Sequence, residues 1–361
     1  MISLILLSFL PFLFFLFVFF QQKYKRRIVP PSQLFLSLFI VVIALCIGLF
    51  PVELSSDKER YVLFYNNIQY GFSYINAYRD AGWYFIVKIG TLIFSRNWHL
   101  FFILLSFIYT LSYVVFAKYH FKNYWGFFVI MAFGCVDFSS YGYNTVRNGL
   151  AIAMCLVCLG FDKKFWLKVM LLLLAVSIHK SMLLPISAYL LTSKLKRGLY
   201  VYMLWIICFI FSVVNLDLSN MFLEVGFADE RIERYAATIS GERETYYHTG
   251  YRIDFLIYSM IPMVISFYYI KAKHIAERLY LHLFYTYLSV NAIWLLVIRM
   301  AATNRIAYLS WVLIPYLTIF PIISNPHKFS HPRKLLFLIM GTFIGVGMLL
   351  SVKSFLLESF D

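Results

Sequence analysis

Apolar stretches near residues 2–20, 33–51, 98–117, 124–138, 145–161, 166–179, 182–193, 199–216, 253–270, 279–298, 305–322 and 335–354 recur along this chain, separated by short polar loops. No other feature constrains the fold as strongly. In hydrocarbon every backbone N–H and C=O must find a partner within the protein, and a helix provides one inside each segment. With 62% hydrophobic residues and 14% charged ones, the chain has more apolar surface than one soluble core could hide. The expected class is therefore all-α: a polytopic membrane helix bundle of about 12 spans, some short or broken, forming one integral membrane domain over residues 1–361. The first 20 residues lack a basic start and a small-residue cleavage site, so they read as a retained span.

Loop charge orients the spans. One set of loops reads KYKRR, KYHFK, DKKFWLK, KLKR, KAKHIAER and HKFSHPRK. It holds 18 of the 32 Lys and Arg but only Asp162 and Glu277 among the acids. That side carries +16 and the other −1, and the positive-inside rule puts the basic side in the cytoplasm. The net charge of +15 thus follows from topology and contact with anionic lipid, and needs no nucleic-acid partner.

Residues 166–193 test this map. One continuous span would invert every later loop and break the charge rule, whereas two segments meeting near His179 preserve it. The first segment, about 14 residues, rises only ~21 Å against a hydrocarbon thickness of ~30 Å. His179 is expected at a helix break recessed below the outer surface, a geometry tolerated where it lines a wet cavity or is buried in protein.

Two outer segments are long enough to carry function. Residues 52–97 form an expected cap whose later part, RDAGWYFIVKIGTLIF, is too short to span and reads as a re-entrant or interfacial helix. Residues 217–252, with interleaved acids and arginines and a Tyr-rich turn, read as a lid. Cys155 and Cys158 form a C-x-x-C without a second ligand pair, and core packing accounts for it.

Ionisable groups at the outer span ends are the functional candidates, since each costs several kcal/mol in hydrocarbon without water or a partner. They are Arg147, His179, Lys180, Arg252, Asp254, Arg299 and Arg305. Converging on one outer cavity, these cations would suit a phosphate or diphosphate, which guanidinium forks bind bidentately. Snorkelling of single arginines to the headgroups is the plainer alternative. Arg147 stands out because it follows SSYGYNTV, a polar and aromatic turn in which Tyr143 and Asn144 could line a pocket. Asp57, Asp80, Asp137 and Asp254 lie on the same side, as salt-bridge partners first and as bases second. For His179 the plainer role is a core imidazole bonded to a carbonyl at the break. No metal-ligand spacing, D-x-D, P-loop or G-x-S-x-G motif occurs, so neither a metal nor a nucleotide cofactor is expected.

The stretch YNTVRNGLAIAMCLVCLGFDKKFWLKVMLLLLAVSIHKSMLLP resembles the EpsG family of Wzy-like polysaccharide polymerases, with its Arg-bearing turn, lysine-bearing cytoplasmic turn and closing I-H-K-S element. SSDKERYVLFY, RDAGWYFIVKIGTLI, GYRIDFLIYSMIP and NRIAYLSWVLIPYL support the likeness, which covers roughly residues 30–325. Asn148 departs from it, since family members often have Gln after the Arg.

The resemblance implies an envelope glycan polymerase in the bacterial cytoplasmic membrane, with its active site facing the periplasm or exterior and no cofactor. It would join polyprenyl-diphosphate-linked repeat units, as donor and acceptor, into O-antigen or exopolysaccharide. A chain-length regulator would be a further partner beside the membrane lipids. Arg147, Arg305 and His179 would be catalytic, and Lys180, Arg252, Arg299, Tyr143, Asn144, Asp80 and Asp254 would bind substrate. An O-antigen ligase-like glycosyltransferase and a lipid-linked glycan flippase or transporter stay open as alternatives.

Overall fold

The computed structural model describes residues 2–23, 25, 27–68, 80–161, 164–195, 198–214, 250–300 and 303–360. All regular structure among them is helical. In chain order the α-helices are α1 (Ile2–Gln22), α2 (Gln33–Gly48), α3 (Ser56–Asn67), α4 (Ala81–Phe94), α5 (Trp98–Phe121), α6 (Trp125–Gly134), α7 (Val136–Tyr143), α8 (Val146–Leu159), α9 (Phe165–Ile178), α10 (Leu183–Thr192), α11 (Leu199–Val213), α12 (Ile253–Ala272), α13 (Arg278–Leu295), α14 (Asn304–Trp311), α15 (Ile314–Ser324) and α16 (Pro332–Phe360). The chain forms two compact units, one of Met1–Lys180 with Ile319–Asp361 and one of Ser181–Thr318.

Four helical runs are long and apolar enough to cross a membrane: Trp98–Gly134, Ile253–Ala272, Asn304–Ser324 and Pro332–Leu350. Six more apolar helices are shorter, so the described residues hold four span-length apolar runs and six shorter apolar helices where about 12 spans were expected. The first of the four runs turns back on itself. Lys122 sits at φ 50°, and beyond it Phe128 lies 5.2 Å from Phe116 and Phe133 6.1 Å from Tyr113. Twenty residues of one straight helix would separate Tyr113 from Phe133 by ~30 Å. Residues 98–134 are therefore an antiparallel pair, as the basic loop KYHFK implies.

In the first unit, α5 (24 residues, ~36 Å) is the central post. Gly48, ending α2, lies so close to Ile103 near the start of α5 that a Cβ there would sit 2.7 Å from its Cα. Gly160, just past α8, meets Val115 near the other end of α5. So α8 begins near the N-terminal end of α5 and runs alongside it. Aromatic rings fill the layer between: Phe138 stacks on Tyr109 at 5.1 Å and on Phe133 at 4.1 Å. α1 packs on α16, with Phe19 5.4 Å from Phe337.

The short helix expected in the first outer segment is α4, 14 residues and ~21 Å long, too short to cross a bilayer. It buries Trp83, Tyr84 and Val87 and exposes Phe85, Ile89, Leu92 and Ile93, an apolar outer face suited to contact with lipid. The break near His179 is also present: α9 ends at Ile178 and His179 is extended at φ −153°, ψ 121°. One reading needs correction. The stretch SSYGYN is not a turn but the body of α7, which starts after an extended Cys135 and carries Asp137 in its first turn, where the helix dipole favours a carboxylate. The turn is confined to Asn144 and Thr145. The proposed lid at 217–252 falls, up to residue 249, outside the described residues, as do residues 69–79 of the cap.

In the second unit, hydrogen bonds between helices fix the packing. Trp205 Nε1 donates to Asn291 Oδ1 at 2.9 Å, Trp311 Nε1 to Ser259 Oγ at 2.7 Å, and Tyr287 donates to the Ser259 carbonyl at 2.7 Å. Each indole or phenol is buried, so its polar tip needs such a partner.

Candidate active site

Three helix ends meet in the first unit: the N-termini of α4 and α8 and the C-terminus of α9. Gly82, in the first turn of α4, presses on the last turn of α9, where an added Cβ would lie 2.7 Å from the Ser177 carbonyl carbon. Gly149 lets α8 approach α7 equally closely, against the Tyr141 backbone. Only glycine allows such contacts, and they bring Asp80, Arg147 and His179 onto adjoining helix ends.

Arg147 is the second residue of α8, with its side chain 5% exposed; its Nη1 lies 2.9 Å from Oδ2 of Asp80, which is 7% exposed. Asp80 occupies the N-cap position of α4, yet its carboxylate makes no capping bond to that helix. An N-cap aspartate ordinarily accepts from the backbone N–H two or three residues on. Here the carboxylate turns to the guanidinium instead, so the pair ties the cap helix to the helix bearing Arg147. Removing one partner from so buried a pair costs ~3–5 kcal/mol.

His179 is half-buried and Lys180 exposed. The His179 N–H donates to the Ala175 carbonyl at 3.0 Å and closes α9. Tyr143 and Asn144, read as pocket lining, make scaffold contacts. Ser55 Oγ donates to Asn144 Oδ1 at 2.9 Å and lies 3.3 Å from the Tyr143 carbonyl, while the Tyr143 ring stacks on Phe50 at 4.1 Å. These contacts lock the start of α3 to the turn before Arg147.

Lys58 escaped notice in the sequence. It is 1% exposed, and its ammonium donates to the carbonyls of Gly48 at 2.9 Å and Phe50 at 2.7 Å, satisfying the open end of α2. Burial pushes it down to about 8, against the opposing pull of the Glu53 carboxylate. The surrounding SSDKER looks solvent-facing, and only the following apolar YVLFY hints that this helix start is covered. Asp137 is likewise buried, 2% exposed, and its Oδ1 has no hydrogen-bond partner among the described residues.

The remaining candidates gather in the second unit. Arg252, at the N-cap position of α12, forks onto Asp254 with Nε–Oδ1 2.9 Å and Nη2–Oδ2 2.7 Å, and its Cζ lies 3.6 Å over the Phe255 ring. Arg299 accepts the Gly250 N–H at 3.2 Å through its carbonyl and sets its guanidinium 4.8 Å from the Tyr251 ring. Its buried Nε has no hydrogen-bond partner among the described residues. Arg305, half-buried, is the second residue of α14. Thr303, two residues before Arg305, accepts from Trp294 Nε1 at 2.9 Å and donates to the Val297 carbonyl at 2.8 Å. Within this unit Arg252 and Arg299 therefore share one end, joined through Gly250 and Tyr251.

An Arg-bearing helix start, an aspartate clamp and a His at a broken helix are the parts that distinguish this chain from a plain helix bundle. Compared with known families, residues 33–359 match the EpsG family. The chain belongs to the EpsG family. The match runs beyond the expected limit near residue 325 and takes in α16. EpsG proteins are Wzy-like polymerases, so family membership together with the apolar helices makes this chain a multi-pass membrane protein of a polysaccharide-polymerase family. No curated protein and no solved structure matches it. Among the described residues no group of three His, Cys, Asp or Glu could hold a metal ion.

Proposed function

We propose that this EpsG-family protein polymerises polyprenyl-diphosphate-linked oligosaccharide repeat units into O-antigen or exopolysaccharide on the outer face of the bacterial cytoplasmic membrane. The observation that carries the reading is Arg147: a buried guanidinium at a helix N-terminus, aimed by Asp80, at the end of the first unit away from the basic loops. Such a group is oriented before substrate arrives and stays charged, as stabilisation of developing negative charge requires.

In the proposed reaction an acceptor hydroxyl oxygen attacks the anomeric carbon of the donor. The bond from that carbon to the diphosphate oxygen breaks, and the polyprenyl diphosphate leaves with the electron pair. The hydroxyl proton passes to a base, and the anomeric centre inverts. Arg147 and Arg305 stabilise the departing diphosphate, with Arg252, Arg299 and Lys180 as further cations for phosphate oxygens. His179 orients the acceptor or the diphosphate, or takes the proton. Asp80 acts through Arg147 as a positioning residue.

A strain lacking the gene, complemented with Arg147→Lys, Arg147→Ala, His179→Ala or Arg305→Ala at matched membrane abundance, tests the reading. Loss of the long glycan ladder with single repeat units still attached is expected, whereas loss of all attached glycan would point to a ligase. If all four variants yield long polymer, the site is wrong.

A further inference from the structure

The first unit holds a cavity of about 420 Å³ at its other end, past the C-terminus of α5. The cationic and imidazole groups of its lining are Arg27, His331, Arg333 and Lys334; Tyr124 and Ser330 add hydroxyls, and Ile28, Ile323 and Pro326 supply apolar wall. Among the described residues no carboxylate lines it. The chain segments that frame it are acid-free over long distances: no Asp or Glu occurs among residues 1–52, 81–136 or 278–357. The positive charge gathered here thus has no acidic counter-charge within the segments that frame it.

The cavity is also built. Gln22 donates to the Val29 carbonyl at 2.7 Å and accepts the Val29 N–H at 3.1 Å, tying the end of α1 to Val29, two residues past Arg27. Arg333 donates from Nη1 to the Gln22 carbonyl at 2.9 Å, fixing the first turn of α16 to the end of α1. The N-terminus of α16, with Pro332 as its first residue, adds its open N–H groups and dipole to the same wall. Like cations that line one cavity repel one another, and an anion reduces that cost.

We infer that this cavity binds the phosphate of an anionic membrane lipid, with the cations around the phosphate and the apolar wall against the glycerol and first acyl carbons. The volume falls within the range of small-ligand sites, ~300–1,000 Å³. Basic pockets between helices at the positively charged membrane face are where anionic headgroups gather. The site is distinct from the Arg147 cluster, which lies toward the opposite end of α5, and its test does not depend on polymerase activity.

The experiment uses the full chain, purified and exchanged into mixed vesicles of phosphatidylcholine with either phosphatidylglycerol or cardiolipin, followed by native mass spectrometry of retained lipid. The wild type should keep anionic lipid in preference to phosphatidylcholine. Arg27→Gln with Lys334→Gln should weaken that retention about tenfold or more, at roughly 1 kcal/mol for each cation removed. Lys118→Gln, at the same basic end but outside the cavity lining, should leave it unchanged. If the double variant fails to fold, Lys334→Gln alone, an exposed position, should still cost several-fold. Unchanged retention in the cavity variants, or an equal loss in Lys118→Gln, overturns the inference. Displacement of the lipid by inorganic phosphate at matched concentration would overturn the lipid assignment and make the site one for a free anion.

Discussion

Arg147–Asp80 in the first unit and Arg252–Asp254 in the second pair the same two side chains in opposite surroundings. The first joins two helices with partners 5% and 7% exposed; the second closes on itself within one helix start, with partners 29% and 34% exposed. The second has the better geometry, a two-point fork over an aromatic ring. The first has the greater consequence. A buried charge left alone keeps its desolvation cost, while an exposed one is rehydrated. Burial therefore decides how much each pair contributes, and the buried pair is the one that links α4 to α8, the helix bearing the motif arginine.

The largest expected effect follows from splitting the buried pair. Asp80→Ala should destabilise the protein by ~3–5 kcal/mol, and combining it with Arg147→Ala should recover part of the loss. Thermal melts in detergent across the four-member cycle measure this, and additive losses would break the comparison. Next comes the glycine contact that positions the pair. Gly82→Ala forces a Cβ against the Ser177 carbonyl carbon and should cost ~1–3 kcal/mol, with shortened polymer on a gel, because α4 must shift to relieve the clash.

Lys58 sharpens the contrast through pH. Its ordinary value near 10.5 is lowered to about 8 in the folded chain. Between these values the unfolded chain holds more protons, so stability rises with pH across the window, and below about 8 the full cost of the buried charge is present. The melting temperature of the wild type relative to Lys58→Met should climb from pH 8 to 10; a flat difference would show that Lys58 is hydrated. The smallest effect belongs to the exposed pair: Asp254→Ala should change stability by only ~0–1 kcal/mol and fade with salt.

Much of the architecture was legible because it is periodic or charge-coded. The turn at Lys122 follows from KYHFK, and the break at His179 from the conflict between helix length and loop charge. The helix at residues 81–94 follows from an apolar run too short to span. What sequence hid depends on tertiary contact. SSYGYN looks like a turn by composition, yet its aromatic residues fold into α7, where Phe138 stacks in the core. Lys58 looks exposed until the carbonyls of Gly48 and Phe50 are brought to it. The contacts that Tyr143 and Asn144 make with Phe50 and Ser55 join residues far apart in sequence. The partnership of Asp80 with Arg147, 67 positions apart, depends on Gly82 meeting Ser177, a contact no local pattern announces.

The central claim is that Arg147 acts on the diphosphate of a lipid-linked donor. Purified protein in lipid nanodiscs, given lipid-linked repeat units and no ion gradient, tests it directly through product length on a gel. Wild type should build a ladder, Arg147→Lys should build it at least tenfold more slowly because the fork geometry is lost, and folded Arg147→Ala should leave single units. A full ladder from folded Arg147→Ala would contradict the account.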